Sequence, residues 1–154
     1  MSNLFKIDGV TSVTLSELVD EHGAVLHMLR NDAPDFMKFG ECYFSEVLPG
    51  AVKAWKLHSL QTQNLAVPLG RLKIVLCDKR VSSDSYGRIE ILEMGRPDKY
   101  FRLLIPPGIC YGFKCVSTEK TLIVNCSDLP HTPGESLTYP KDSIEIPYSW
   151  TENI

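Results

Sequence analysis

Val52-Lys-Ala-Trp-Lys-Leu-His-Ser-Leu60, set between Pro49-Gly50 and Gln61-Thr-Gln-Asn64, reads as a β-strand with a histidine inside it. On a period of two, Val52, Ala54, Lys56, His58 and Leu60 share one face, and Lys53, Trp55, Leu57 and Ser59 the other. A core-facing strand does not readily carry Lys56 and His58 beside small apolar residues, because an unpartnered buried polar group costs about 1–3 kcal/mol. That face is therefore expected to line a polar cavity, with the rest of the chain as its wall.

Outward from this strand the pattern stays β for most of the length. Runs from Gly9 to Leu15, Ala24 to Arg30, Glu41 to Leu48, Asn64 to Pro68, Arg71 to Asp78, Arg88 to Met94, Tyr100 to Ile105, Ile109 to Val116 and Lys120 to Cys126 read as strands. Turn signals such as Pro68-Leu-Gly70, Gly95-Arg-Pro-Asp98 and Pro106-Pro-Gly108 separate them. Ser16-Glu-Leu-Val-Asp-Glu-His-Gly23 reads as a helical turn or loop, with Ser16 as its cap and Gly23 as its end. Short strands at this spacing, without a long helical period, predict an all-β sandwich, jelly roll or small barrel with short peripheral helical turns. The turn-rich stretch 128–154 holds aromatics and prolines, and is expected to pack along the barrel as part of a single domain, 1–154.

The composition bounds the function. The 154 residues are 44% hydrophobic and 23% charged, with a net charge of −3. That is enough chain for one core without staples, and it gives no reason to expect nucleic acid or an anionic membrane as partner. The N-terminal residues lack the apolar run of a secretory signal, and no segment approaches the roughly 18 apolar residues of a membrane span, so a cytoplasmic location is expected. Five cysteines without a Cys-x-x-Cys pair read as buried thiols rather than a zinc site or disulfide framework.

Two segments share a logic: Gly50 through His58 to Gly70, and Ile105-Pro-Pro-Gly-Ile-Cys-Tyr-Gly-Phe113. The pairing resembles the two motifs of cupin jelly rolls, which present histidines as metal ligands. Only His58 remains here, Tyr111 stands where the second motif carries histidine, and no glutamate lies between His58 and Gly70; no metal is expected. Asp20-Glu-His-Gly23, Leu57-His58 with Gln61, Asp78-Lys-Arg80 followed by serines and Gly87, Cys126-Ser-Asp with Pro133 and Glu135, and Ser143-Ile-Glu-Ile-Pro-Tyr148 complete the resemblance. In this order they are similar to the dTDP-4-dehydrorhamnose 3,5-epimerases and their relatives, metal-free cupins acting on nucleotide-linked 4-keto sugars.

The resemblance implies a cofactor-independent epimerase in cell-surface or secondary-metabolite sugar biosynthesis, with a nucleotide sugar as substrate and a homodimer as assembly. Proton abstraction next to a ketone leaves an enolate, so the site needs a base, a cation for the oxyanion and an acid on the opposite face. His58 would be the base. The family's lysine falls at about Asn64, its tyrosine near Ile123 or Val124, and the aspartate that orients the histidine at about Asp142. Lys56 is therefore expected to supply the cation and Tyr111 the acid. Arg30, Arg80 and Arg88 are candidate pyrophosphate ligands, and Gln61 and Asn64 candidate substrate contacts. Bland readings stand beside these: Lys56 as a solvent-facing lysine, Tyr111 as packing, Arg80 as the ion-pair partner of Asp78, and Trp55 as core rather than a base-stacking platform. A sugar-nucleotide 3,4-ketoisomerase and a non-catalytic sugar-nucleotide-binding cupin are the alternatives.

Overall fold

The computed structural model describes residues 4–151. In chain order its strands are β1 (Thr11–Thr14), β2 (Glu17–Asp20), β3 (Gly23–Leu26), β4 (Glu41–Val47), β5 (Val52–His58), β6 (Gln63–Leu69), β7 (Leu72–Asp78), β8 (Ile89–Met94), β9 (Phe101–Ile105), β10 (Ile109–Cys115), β11 (Thr121–Ser127) and β12 (Ser136–Thr138). Two five-stranded antiparallel sheets, ordered β1-β9-β6-β11-β4 and β12-β5-β10-β7-β8, face each other, and β2 pairs with β3 as a separate hairpin. This is the all-β arrangement that the strand spacing predicts, and the cupin type that the motif resemblance implies. The described residues form no helix long and apolar enough to cross a membrane.

Alternation along β7 shows where the core lies. Leu72, Ile74 and Leu76 point between the sheets, where they meet Leu65, Leu103, Ile105, Ile109 and Ile123. Val75 and Cys77 point to the outer side and join Trp55, Leu57, Cys110, Ile146 and Trp150. A strand buried on both faces reads as a continuous apolar run. The cover on that outer side is the chain beyond Tyr139: Trp150 and Tyr148 lie 5.1 and 6.1 Å from the Trp55 ring, centroid to centroid.

Two expectations need correction. Ser16–Gly23 is no helical turn: Glu17–Asp20 pairs with Gly23–Leu26 across Glu21-His22, and the His27 amide donates to the Ser16 carbonyl. Leu18-Val19 pairs with Ala24-Val25 on either side of Glu21-His22, with Gly23 (φ +144°) opening the return strand, and this strand pairing outweighs the serine cap. The cysteines are also not uniformly buried. Cys77, Cys110 and Cys115 are, but Cys42 on edge strand β4 is exposed and Cys126, its cross-strand neighbour, half-buried.

Candidate active site

The strand that closes the second sheet, β12, pairs with the end of β5, placing Ser136 opposite His58 and Thr138 opposite Lys56. This delivers Glu135 to the histidine from 77 positions away: Glu135 Oε1 lies 2.8 Å from His58 Nδ1. Its other oxygen accepts the Leu60 and Gln61 amides, each at 3.0 Å. With three donors converging on one carboxylate, Nδ1 carries the ring proton and Nε2 is the basic nitrogen. The Tyr111 hydroxyl, 3.1 Å away, donates to Nε2. Both side chains of the pair are buried, His58 to 7% and Glu135 to 4% exposure. Burial alone would raise the Glu135 carboxyl, but the His58 ring and the two amides outweigh it and hold it below its ordinary value. Burial pushes the Tyr111 hydroxyl well above its ordinary range, aided by Tyr43 and Glu135 nearby.

The Pro106-Pro-Gly108 turn clamps the same point. Gly108 (φ +87°) donates its amide to the His58 carbonyl at 2.8 Å, and a Cβ at Gly108 would stand 2.5 Å from Arg80 Cγ. Only glycine fits there.

Alternation along β5 breaks in the middle. Tyr111 pairs with Lys56 and Gly112 with Ala54, so Trp55 has no partner on β10 and forms a bulge. A bulge turns the residues before it to the other face. Lys53 consequently joins Lys56 on the inner face, where the two help to line a cavity of about 390 Å³ between the sheets. Tyr111, Tyr43, Ser45 and Asn125 add polar groups to its wall, and Leu65, Phe113 and Ile123 apolar ones. Lys53 Nζ donates to Ser45 Oγ at 3.3 Å. The strand thus presents two ammonium groups beside Tyr111, which connects the cavity to the His58–Glu135 pair.

Other expected residues lie elsewhere. Asp142 is exposed in the turn after β12, and the carboxylate on His58 is Glu135 instead. Tyr111, expected across from His58, instead bonds His58 Nε2 and lies on the same sheet as that ring. Trp55 is core, 1% exposed, with its indole N–H on the Lys141 carbonyl, although it borders the cavity. Arg80 grips Asp78 through Nε and a terminal nitrogen at 2.9 and 2.8 Å, and donates to the Asp8 carbonyl. Arg30 pairs with Asp32 at the surface, and Arg88 is exposed. Gln61 is buried with its amide on the Pro130 carbonyl, and the Asn64 side-chain oxygen accepts from Arg102, which also holds Asp35. Among the described residues no three of His, Cys, Asp and Glu gather as a metal-ligating group.

Fold and site together define a cupin-type barrel with a buried imidazole–carboxylate pair beside a lysine-lined cavity. The family model for dTDP-4-dehydrorhamnose 3,5-epimerase matches residues 5–154, and the chain belongs to that family of sugar epimerases. It is 28% identical over 146 residues, 94% of this chain and 96% of the relative, to the spore coat polysaccharide biosynthesis protein SpsL of Bacillus subtilis. A crystal structure of a dTDP sugar isomerase from Desulfovibrio desulfuricans superposes with a TM-score of 0.96 at 47% identity, covering 99% of this chain and 98% of the other. The RmlC epimerase of Legionella pneumophila in complex with dTDP-4-keto-L-rhamnose shares the fold, with a TM-score of 0.83 at 16% identity over 98% of this chain and 83% of that one.

Proposed function

We propose that this protein epimerises a nucleotide-linked 4-keto sugar, with His58 as the base that removes the proton next to the ketone. The observation that carries the reading is the buried His58–Glu135 pair, whose unprotonated nitrogen meets the hydroxyl of Tyr111, a residue that lines the cavity. Glu135 fixes the tautomer and stabilises the imidazolium as it forms. The Tyr111 hydroxyl occupies, in the free protein, the place on Nε2 that the substrate C–H takes. Lys56, directly opposite Tyr111 across the strands, meets the enolate oxygen, where a fixed charge in a site with little water acts strongly. Lys53 beside it is suited to a substrate hydroxyl or phosphate. A homodimer fits the exposed apolar residues Leu18, Val19 and Val25 of the free-standing hairpin.

The test is deuterium wash-in. With dTDP-4-keto-L-rhamnose in heavy water, the C3 or C5 proton should exchange, and His58→Ala should slow that exchange by about 100-fold or more. Exchange surviving in the variant removes His58 as base. Binding of the sugar nucleotide without exchange in the wild-type protein favours a non-catalytic binding role.

A further inference from the structure

A second proton-bearing group faces the cavity from the sheet opposite His58, and its direction is set by a backbone carbonyl. The Pro130 oxygen can only accept, so Gln61 Nε2, 3.2 Å away, donates to it. Gln61 Oε1 therefore faces Gln63, whose Nε2 donates to it at 2.9 Å. Gln63 in turn presents Oε1 to Asn125, which donates through Nδ2. The second hydrogen of that Nδ2 goes to the Tyr43 hydroxyl oxygen, 2.9 Å away. Turning any one amide would set two donors or two acceptors against each other, so the whole series keeps one orientation. It ends with the Tyr43 oxygen as an acceptor.

Two atoms are left with unused capacity. The hydrogen of the Tyr43 hydroxyl finds no acceptor among the described residues. Asn125 Oδ1 is buried without a partner, in a residue 3% exposed. Both residues line the cavity. An orphaned interior acceptor beside a hydroxyl whose hydrogen is uncommitted is what a site for a polyhydroxylated ligand leaves open when empty.

We propose that Tyr43 is the acid that returns a proton to the substrate carbon from the face opposite His58, while Asn125 Oδ1 accepts a hydroxyl of the same sugar ring. This rests on the epimerase reading and supplies the group that reading lacks. Inversion requires the donor and the base on opposite faces; His58 and Tyr111 belong to β5 and β10, and Tyr43 to β4 of the facing sheet. The C–H proton passes to His58 Nε2 and its electron pair becomes the enolate. The enolate carbon then takes the Tyr43 hydrogen. The phenolate so formed, on a residue 39% exposed, is reprotonated by water, and His58 releases its proton to solvent. Burial raises the Tyr43 hydroxyl and keeps it protonated at neutral pH, while the Asn125 hydrogen bond acts the other way and eases the transfer.

The experiment compares wild type and Tyr43→Phe with dTDP-4-keto-L-rhamnose in heavy water, following exchange and inversion separately by NMR, with circular dichroism melts confirming that the variant folds. The variant should keep exchange with retention at the target carbon while inversion falls by about 100-fold or more. Asn125→Leu should raise KM by about two- to tenfold, the loss of one ligand hydrogen bond to a neutral group. Inversion at the wild-type rate in Tyr43→Phe overturns the assignment, as does loss of exchange together with inversion in a folded variant, which would place the residue before proton abstraction. An unchanged KM in Asn125→Leu removes that residue from the sugar's contacts. Wild-type protein that neither exchanges nor inverts refutes the epimerase reading itself, and the role of Tyr43 with it.

Discussion

Replacing Glu135 by glutamine tests whether the carboxylate sets the histidine tautomer. In the wild type three N–H donors, from His58, Leu60 and Gln61, meet two carboxylate oxygens. Glutamine has one oxygen. If that oxygen faces His58, the two backbone amides confront an NH2 group and go unpaired, at about 1–3 kcal/mol each. If it faces the amides, both stay bonded and the NH2 meets Nδ1, which must give up its proton to accept. The second arrangement costs only the exchange of a charge-assisted bond for a neutral one, about 1–2 kcal/mol. It therefore wins, and it moves the ring proton to Nε2, where the base needs a lone pair. Glu135→Gln should accordingly fold with a modest loss of stability, yet slow deuterium wash-in by about 100-fold or more. Long-range nitrogen–proton NMR should show the His58 proton on Nε2. A variant that exchanges within a few-fold of wild type, or that keeps the proton on Nδ1, refutes this account of the pair.

Three further outcomes follow from the same geometry. Lys56→Met should slow exchange by about 100-fold if Lys56 meets the enolate oxygen, whereas Lys53→Met should act mainly on KM; the reverse pattern in steady-state kinetics would exchange their roles. Gly112→Ala should cost about 1–3 kcal/mol, because a Cβ there would lie 2.7 Å from the Ala54 Cβ and 2.8 Å from a Trp150 ring carbon; calorimetry should show a fall of roughly 2–4 °C per kcal/mol, and an unchanged Tm would mean that the tail gives way freely. Asp78→Asn should lose about 1–3 kcal/mol at neutral pH by removing the carboxylate from Arg80, which keeps its bond to the Asp8 carbonyl. Burial would raise the Asp78 carboxyl, but Arg80 and Ser85 outweigh it and hold it well below the usual carboxylate range. A depressed folded value stabilises above the ordinary pKa of about 3.9 and ceases to as pH falls through the folded value. Urea melts of wild type and variant should therefore converge in acid, and a gap that stays constant with pH contradicts this.

The architecture was legible in sequence because it rests on local signals. Expected and observed strands agree to within a few residues wherever Pro, Gly or a polar turn brackets an apolar run, as at Leu72–Asp78 and Ile109–Cys115. His58 stood out for the same reason, as the histidine within such a run beside the Pro-Pro-Gly turn. What could not be read is what depends on distant pairing. Counting by twos put Lys53 on the wrong face of β5, since the bulge at Trp55 arises from its pairing with β10 and with Tyr139, whose backbone exchanges two hydrogen bonds with that of Trp55. Glu135 became a partner of His58 only through the three-residue strand that follows it, too short to show any period, and Asp142 had only approximate position in its favour. Tyr43 and Asn125 lie opposite each other on adjacent strands, each unremarkable in its own run. The Glu21-His22 turn of β2–β3 carries none of the Asn-Gly or Asp-Gly chemistry that marks a two-residue hairpin in sequence, and the serine before it pointed to a helix instead.

The last strand of the second sheet carries a consequence for how activity is distributed among molecules. Because Glu135 reaches His58 only when β12 is seated on β5, detachment of the tail and loss of the carboxylate from His58 are one event, and on the proposed mechanism that event silences the molecule. A local opening that costs about 2.7 kcal/mol would leave roughly 1% of an otherwise intact population inert. Whatever occupies the cavity and favours the imidazolium also pulls the tail down, so cleavage by a protease near the exposed Lys141 would report occupancy of a site on the other side of the sheet.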